Sequence, residues 1–172
     1  FELNAAYIDE MAPSLSWLID AGPTIGIHYR RGDKYVETPY VSAERYRAAL
    51  DAVADRSGLK SVFVTSDSPH AVTELKLDDG RYAVLFDASE KRYNNANHRF
   101  LMKNQHLAHQ ETFTALKNIC LLSKCERVVG QTNAHFALLA YGALKAKGLP
   151  DAGILLEPEL EPKSAGQKFL YS

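Results

Sequence analysis

The stretch His28-Tyr29-Arg30-Arg31-Gly32-Asp33 puts a histidine, two adjacent arginines and an aspartate directly after an apolar run. Two more polar clusters follow apolar runs in the same way, Thr65-Ser66-Asp67-Ser68 and Gly130-Gln131-Thr132-Asn133. These residue types suit an anion. An arginine fork matches two phosphate oxygens at once, and each charge-assisted bond contributes roughly 1.5–3 kcal/mol. The third cluster leads into a helical pattern, so it would add free backbone N–H groups and the positive end of a helix dipole. A guanidinium of the first cluster facing that helix start makes a diphosphate site. Neither the G-x-G-x-x-G nor the Walker A pattern occurs, which disfavours an ordinary dinucleotide or P-loop reading.

The elements that must position these clusters are legible as periodicity. Residues 5–20 read as a helix and "TIGIHYR", 24–30, as a buried strand. Next comes a helix with Ser42 as N-cap and Tyr46, Ala49, Leu50, Val53 and Ala54 on one face. "SVFVT" (61–65) and "YAVLF" (82–86) read as strands, and Ser68-Pro69 as the N-cap and first residue of a helix. Residues 88–107 read as a polar loop with short helical pieces. "ETFTALKNICLLS" reads as a helix, "ERVVG" as a short strand, "AHFALLAYGALKAKG" as a mostly buried helix with Gly148 past its end, and "GILLE" as a last strand. Strand and helix alternating in this way predict an α/β, Rossmann-like parallel sheet with helices on both faces. In such a sheet ligands collect beyond the carboxyl ends of the strands, where all three polar clusters fall.

Composition narrows the function classes. A chain of 172 residues suits one domain, and folding at that length removes roughly 70% of the unfolded surface from water. A formal net charge of −1 argues against bulk nucleic-acid or membrane-surface binding, so anion chemistry has to come from local charge. No signal peptide or transmembrane segment is seen; a bacterial source would make the protein cytoplasmic. Cys120 and Cys125, about 140° apart on a helix, read as buried thiols. His106 and His109 have helical spacing but no third ligand, so no metal site is expected. Each candidate also has a structural reading. Arg30 could be an ion-pair partner of Asp33 or Asp67, and Asp67 could cap a helix. His28 could be a satisfied core histidine. Alternation turns Arg31 to the opposite face from Arg30, where it would brace an aspartate. Glu37 could be an ordinary loop carboxylate.

His28 to Asp33 resembles the H-x-R-R-x-D motif of the fucosyltransferase superfamily, which includes α1,6-, α1,2- and protein O-fucosyltransferases. "VFVTSDSP" resembles the superfamily's second motif, and "ALKNICLLSKCERVVGQTNAHFALLAYGAL" its third. The three occur in order over roughly residues 24–147. The resemblance implies the donor half of a GT-B glycosyltransferase that transfers fucose from GDP-fucose with inversion, without a metal or other cofactor. It implies that Arg30 holds the diphosphate and that His28 helps to hold the guanine nucleotide. Arg31 and Asp67 are counted with the donor site, and Thr132, Asn133, Ala134 and His135 match the turn whose backbone receives the phosphates. Glu37 is the candidate catalytic carboxylate, with Asp33 and Arg30 beside it. Where the family often places an aspartate that pairs with guanine N1 and N2, this chain has Asn118, with one acceptor oxygen and no charge. Residues 24–156 are the expected nucleotide-sugar-binding domain, 1–23 a helix or linker from an N-terminal acceptor domain outside the sequence, and 157–172 a Pro-containing tail. The partners implied are a GDP-sugar donor and a glycan or glycoprotein acceptor, with no nucleic acid and no membrane segment. Two other classes stay open: a non-catalytic nucleotide-sugar or glycan-binding module on this fold, and an unrelated phosphate-handling α/β domain.

Overall fold

The computed structural model describes residues 5–31, 39–92 and 103–158. Five short strands, β1 (Thr24–Tyr29), β2 (Ser61–Ser66), β3 (Ala83–Leu85), β4 (Arg127–Gln131) and β5 (Gly153–Leu156), form one sheet in the order β3-β2-β1-β4-β5. Every neighbouring pair is parallel. Among the described residues the helices are α1 (Ala5–Asp20), α2 (Ala43–Ser57), α3 (Ala71–Glu74), α4 (Ala108–Lys124) and α5 (His135–Ala146). The fold is α/β and Rossmann-like, as the alternation of elements predicts.

Alternation along β1 divides the core. Ile25, Ile27 and Tyr29 pack with α2 through Tyr46, Leu50 and Val53. On the opposite face, Phe63 of β2 and Val128 of β4 pack with Leu121 and Leu122 of α4 and Ala140 and Leu144 of α5. Leu18 of α1 belongs to that second cluster, so the N-terminal helix packs into the domain's own core. The face predicted for α2 is the buried one: Tyr46, Ala49, Leu50, Val53 and Ala54. Ser42 caps its N-terminus by accepting from Arg45 N–H at 3.3 Å, and Gly58 ends it at φ 73°, a left-handed turn that glycine enters without a Cβ penalty.

Three local expectations need correction. The helix after β2 starts at Ala71 and lasts only four residues, although Ser68 Oγ accepts from the backbone N–H of His70 (3.2 Å) as a cap would and also donates to the Glu74 carboxylate (2.9 Å). α5 buries one face only; Leu138 and Leu139 are exposed. Cys120 is half-buried, whereas Cys125 is buried and its thiol is pushed up to about 12 by desolvation.

Candidate anion-binding cleft at the strand switch point

β1 is the strand at which the chain changes direction across the sheet, running to β2 and β3 on one side and to β4 and β5 on the other. Its pairing with β2 continues to the end, Tyr29 opposite Ser66, and Ser66 Oγ adds a bond to Tyr29 C=O at 2.6 Å. Its pairing with β4 stops at Ile27 opposite Val129, while Gly130 and Gln131 continue against Leu155 and Leu156 of β5. β1 and β4 therefore part at their carboxyl ends. A cleft of about 520 Å³ opens there, lined among others by His28, Arg30, Asp67, Asn118, Asn133 and Ala134.

The three polar clusters of the sequence end the three central strands, β1, β2 and β4. Arg30 lies one residue past β1 and forms an ion pair with Asp67, one residue past β2. The other oxygen of Asp67 accepts from Arg31 N–H at 2.7 Å. The structural alternative for Arg30, an ion pair with Asp67, is thus realised, and Arg30 also lines the cleft. Helix capping by Asp67 is not what its carboxylate does.

Arg31 takes the opposite face, as alternation along the strand dictates. Its Nε donates to Tyr29 Oη at 2.6 Å and lies 3.4 Å from Glu74, and its guanidinium sits 4.5 Å from the Tyr29 ring and 4.8 Å from the Tyr40 ring. Burial raises the pKa of Glu74, but bonds from Tyr29, Ser68 and Arg31 outweigh it and hold the carboxyl below its ordinary value. Arg31 is not among the residues lining the cleft.

His28 is 6% exposed, with its ring stacked on Phe136 at 5.1 Å. Burial, reinforced by the Arg30 charge, takes its pKa from 6.5 down to about 3, so the ring is neutral at physiological pH. Its Nδ1 is buried and has no partner among the described residues. Its carbonyl accepts from Tyr46 Oη at 3.0 Å, which fastens the end of β1 to α2.

The far side of the crevice is the start of α5. A helix leaves its first backbone N–H groups without intrahelical partners and carries partial positive charge there. Asn133, Ala134, His135 and Phe136 bring that helix start to the cleft wall. Gly130 allows the approach, because a Cβ at this position would stand 2.3 Å from Ala137 Cβ. Thr132 is the exception within this turn: it does not line the cleft, and its hydroxyl donates to Glu157 at 2.8 Å. Glu37 and Asp33 lie outside the described residues.

One wall went unread in the sequence. Asp87, Glu90 and Arg92 follow β3, the next strand of the sheet; Glu90 and Arg92 lie inside the stretch 88–107 that reads as a polar loop, and Asp87 just before it. Glu90 and Arg92 line the cleft with side chains 7% and 5% exposed, paired at 3.0 Å. Arg92 Nε also donates to Ser66 C=O at 2.9 Å, tying this segment to the end of β2. Lys117 lies 2.8 Å from Glu90 and 3.1 Å from Asp87. Its burial is outweighed by these carboxylates, which keep the ammonium above its ordinary pKa. The signal that could have found this wall is the one used for the others, charged residues just past the carboxyl end of a strand. The described residues contain no group of three or more His, Cys, Asp or Glu placed to hold a metal ion, and no helix long and apolar enough to cross a membrane.

No family model and no curated protein matches the chain. Among solved structures it resembles POFUT1 in complex with GDP-fucose, with a TM-score of 0.51 at 12% identity, over 88% of this chain and 46% of that one. POFUT1 in complex with GDP gives a TM-score of 0.49 at the same 12% identity and over the same shares of both chains. The chain thus spans about half the length of the solved structures it matches, 46%. At this identity the likeness establishes fold: the chain has an α/β, Rossmann-like, fucosyltransferase-like fold.

Proposed function

We propose that the chain is the donor-binding half of an inverting, metal-independent glycosyltransferase that uses GDP-fucose and transfers fucose to a glycan or protein hydroxyl. The observation that carries this reading is the crevice between β1 and β4, with the Arg30 guanidinium on one lip and the start of α5 on the other. A diphosphate between them would meet a planar cation and a helix N-terminus together. The fold likeness to POFUT1 in complex with GDP-fucose agrees with it.

In this reading the acceptor oxygen attacks the anomeric carbon from the face opposite GDP. The new C–O bond forms as the bond to the β-phosphate oxygen breaks, and the electron pair leaves with GDP. Arg30 stabilises the charge growing on that leaving group, the role a divalent metal serves in other transferases. Glu37 is proposed to take the acceptor proton, and Asp33 is counted with it as a catalytic candidate. Asn133, Ala134 and His135 are proposed to receive the phosphates through the α5 start, and Arg31 and Asp67 to hold the β1 end that carries Arg30. Calorimetric titration with GDP, UDP, ADP and GDP-fucose tests the reading. GDP and GDP-fucose should bind with micromolar or better affinity; a chain that binds no nucleoside diphosphate overturns it.

A further inference from the structure

The face of the sheet opposite α2 is covered by α1, α4 and α5, with α4 packed against both of the others. α1 and α4 each lead into a strand and α5 leaves one, so in this parallel sheet all three run from its carboxyl end toward its amino end. Their outward side is apolar. On α1, Ile8, Ala12 and Ile19 are exposed at helical spacing, Ile19 at 69%. On α5, Leu138, Leu139, Gly142 and Ala146 form a second exposed stripe, Leu139 at 57%. Between Glu111 and Lys124 the one charged residue of α4 is Lys117, which is buried and paired with Asp87 and Glu90. A Cβ on Gly142 would meet nothing within 4 Å, so no described neighbour explains a glycine in a helix interior, where alanine is preferred. The close approach of a second backbone would explain it.

We propose that this helical layer is the interface of a two-fold homodimer, in which α1 of each copy lies along α5 of the other and α4 meets its own counterpart. Charge selects the arrangement. α1 carries Asp9, Glu10 and Asp20 and no basic residue, whereas α5 carries Lys145, is followed by Lys147 and has no acidic residue. A two-fold axis parallel to the helices sets acidic α1 on basic α5 and keeps the two parallel. Counted from the helix starts, Ile8 then stands beside Leu138 and Leu139, Ala12 beside Gly142, and Asp20 toward Lys147. An axis across the helices would instead lay α1 antiparallel on its own copy and bring Asp9 toward Asp20, a like-charge contact. Three helices about 9 Å apart and about 18–25 Å long give a footprint of roughly 600 Å². Ridges raise the accessible area above that, toward the roughly 800 Å² per partner of a stable interface. A formal net charge of −1 leaves little long-range repulsion between copies. The inference does not rest on the donor-site reading.

Sedimentation velocity and light scattering on the whole chain, over about 1–100 µM, read the mass directly; a dimer with a Kd of about 10 µM or tighter is expected. Leu139→Glu and Gly142→Leu should each leave a monomer across that range. Both positions are exposed, so the melting temperature at low concentration should hold, which separates a lost interface from a lost fold. Asp20→Lys should weaken the dimer about tenfold, and adding Lys145→Glu with Lys147→Glu should recover it. A wild-type chain that stays monomeric at the highest concentration overturns the inference, whether or not it binds GDP. So does a dimer that survives Leu139→Glu and Gly142→Leu. A dimer strengthened by Asp20→Lys overturns the pairing of α1 with α5 in favour of the axis across the helices. Binding to neutral phospholipid vesicles in place of self-association would make the layer a membrane face and likewise overturn it.

Discussion

Arg30 and Asp67 close an ion pair between the ends of β1 and β2, and the second oxygen of the same carboxylate fixes the backbone N–H of Arg31 at 2.7 Å. One aspartate thus orients the guanidinium that faces the cleft and pins the chain that carries it. Under the proposed function, the pair would couple donor binding to the integrity of the strand ends.

Arg30→Ala should remove most GDP affinity, and Arg30→Lys should restore little of it, because a point charge cannot reproduce the planar fork. Two lost charge-assisted bonds correspond to roughly 3–6 kcal/mol by addition, an upper bound since water replaces part of them. Asp67→Asn should weaken GDP less, by about tenfold, through loss of orientation alone. Calorimetry on the three variants checks the ranking. An Arg30→Ala protein that melts early yet binds GDP like the wild type would make the arginine purely structural.

Arg31→Ala should show the reverse pattern. Its partners Tyr29, Glu74 and Tyr40 lie away from the cleft, so its loss should cost stability of about 1–3 kcal/mol and change GDP affinity only a few-fold. Chemical denaturation and GDP titration on the same variant decide. A large affinity loss with an unchanged denaturation midpoint would place Arg31 on the ligand instead.

His28 gives the fold an acid-sensitive branch. Its pKa is 6.5 unfolded and about 3 folded, so between these values the unfolded chain holds a proton that the folded chain does not. Stability therefore falls as pH drops below 6.5, by up to about 1.4 kcal/mol per pH unit, and is regained as pH rises. Melting curves from pH 4 to 8 should show this branch, and His28→Phe should flatten it. Equal slopes in the two proteins would exclude His28 as its source.

Gly130→Ala should damage both fold and site. The added methyl would lie 2.3 Å from Ala137 Cβ and push the start of α5 off β4. Overpacking of this kind costs about 1–3 kcal/mol. GDP affinity should fall with it, because the displaced helix start is one lip of the cleft, and Ala137→Gly in the same chain should recover part of both losses. Unchanged GDP binding in a destabilised Gly130→Ala protein would separate the helix start from the ligand.

Chelation should leave GDP affinity unchanged, since a cationic clamp rather than a divalent ion is proposed to hold the diphosphate. Titration with and without EDTA, and again with added Mg²⁺ or Mn²⁺, checks it. Binding that disappears with the chelator and returns with a metal would count against the clamp.

The sequence by itself determined the elements and their inner faces. A period of 3.6 named Tyr46, Ala49, Leu50, Val53 and Ala54 as the buried side of α2, and Gly58 and Gly148 end their helices at positive φ. Alternation along β1 separated Arg30 from Arg31 before any partner was known. Periodicity, however, says which side of an element faces inward and carries nothing about which other element meets it. Strand order and register decided that the ends of β1, β2 and β4 share one crevice, and that β1 and β4 part after Ile27 and Val129 to open it. The same long-range packing gave Arg30 to Asp67, and Arg31 to Glu74 and Tyr40. It also folded Glu90 and Arg92 onto the cleft wall against Lys117 and Asn118, where burial leaves charged side chains no stable choice but one another.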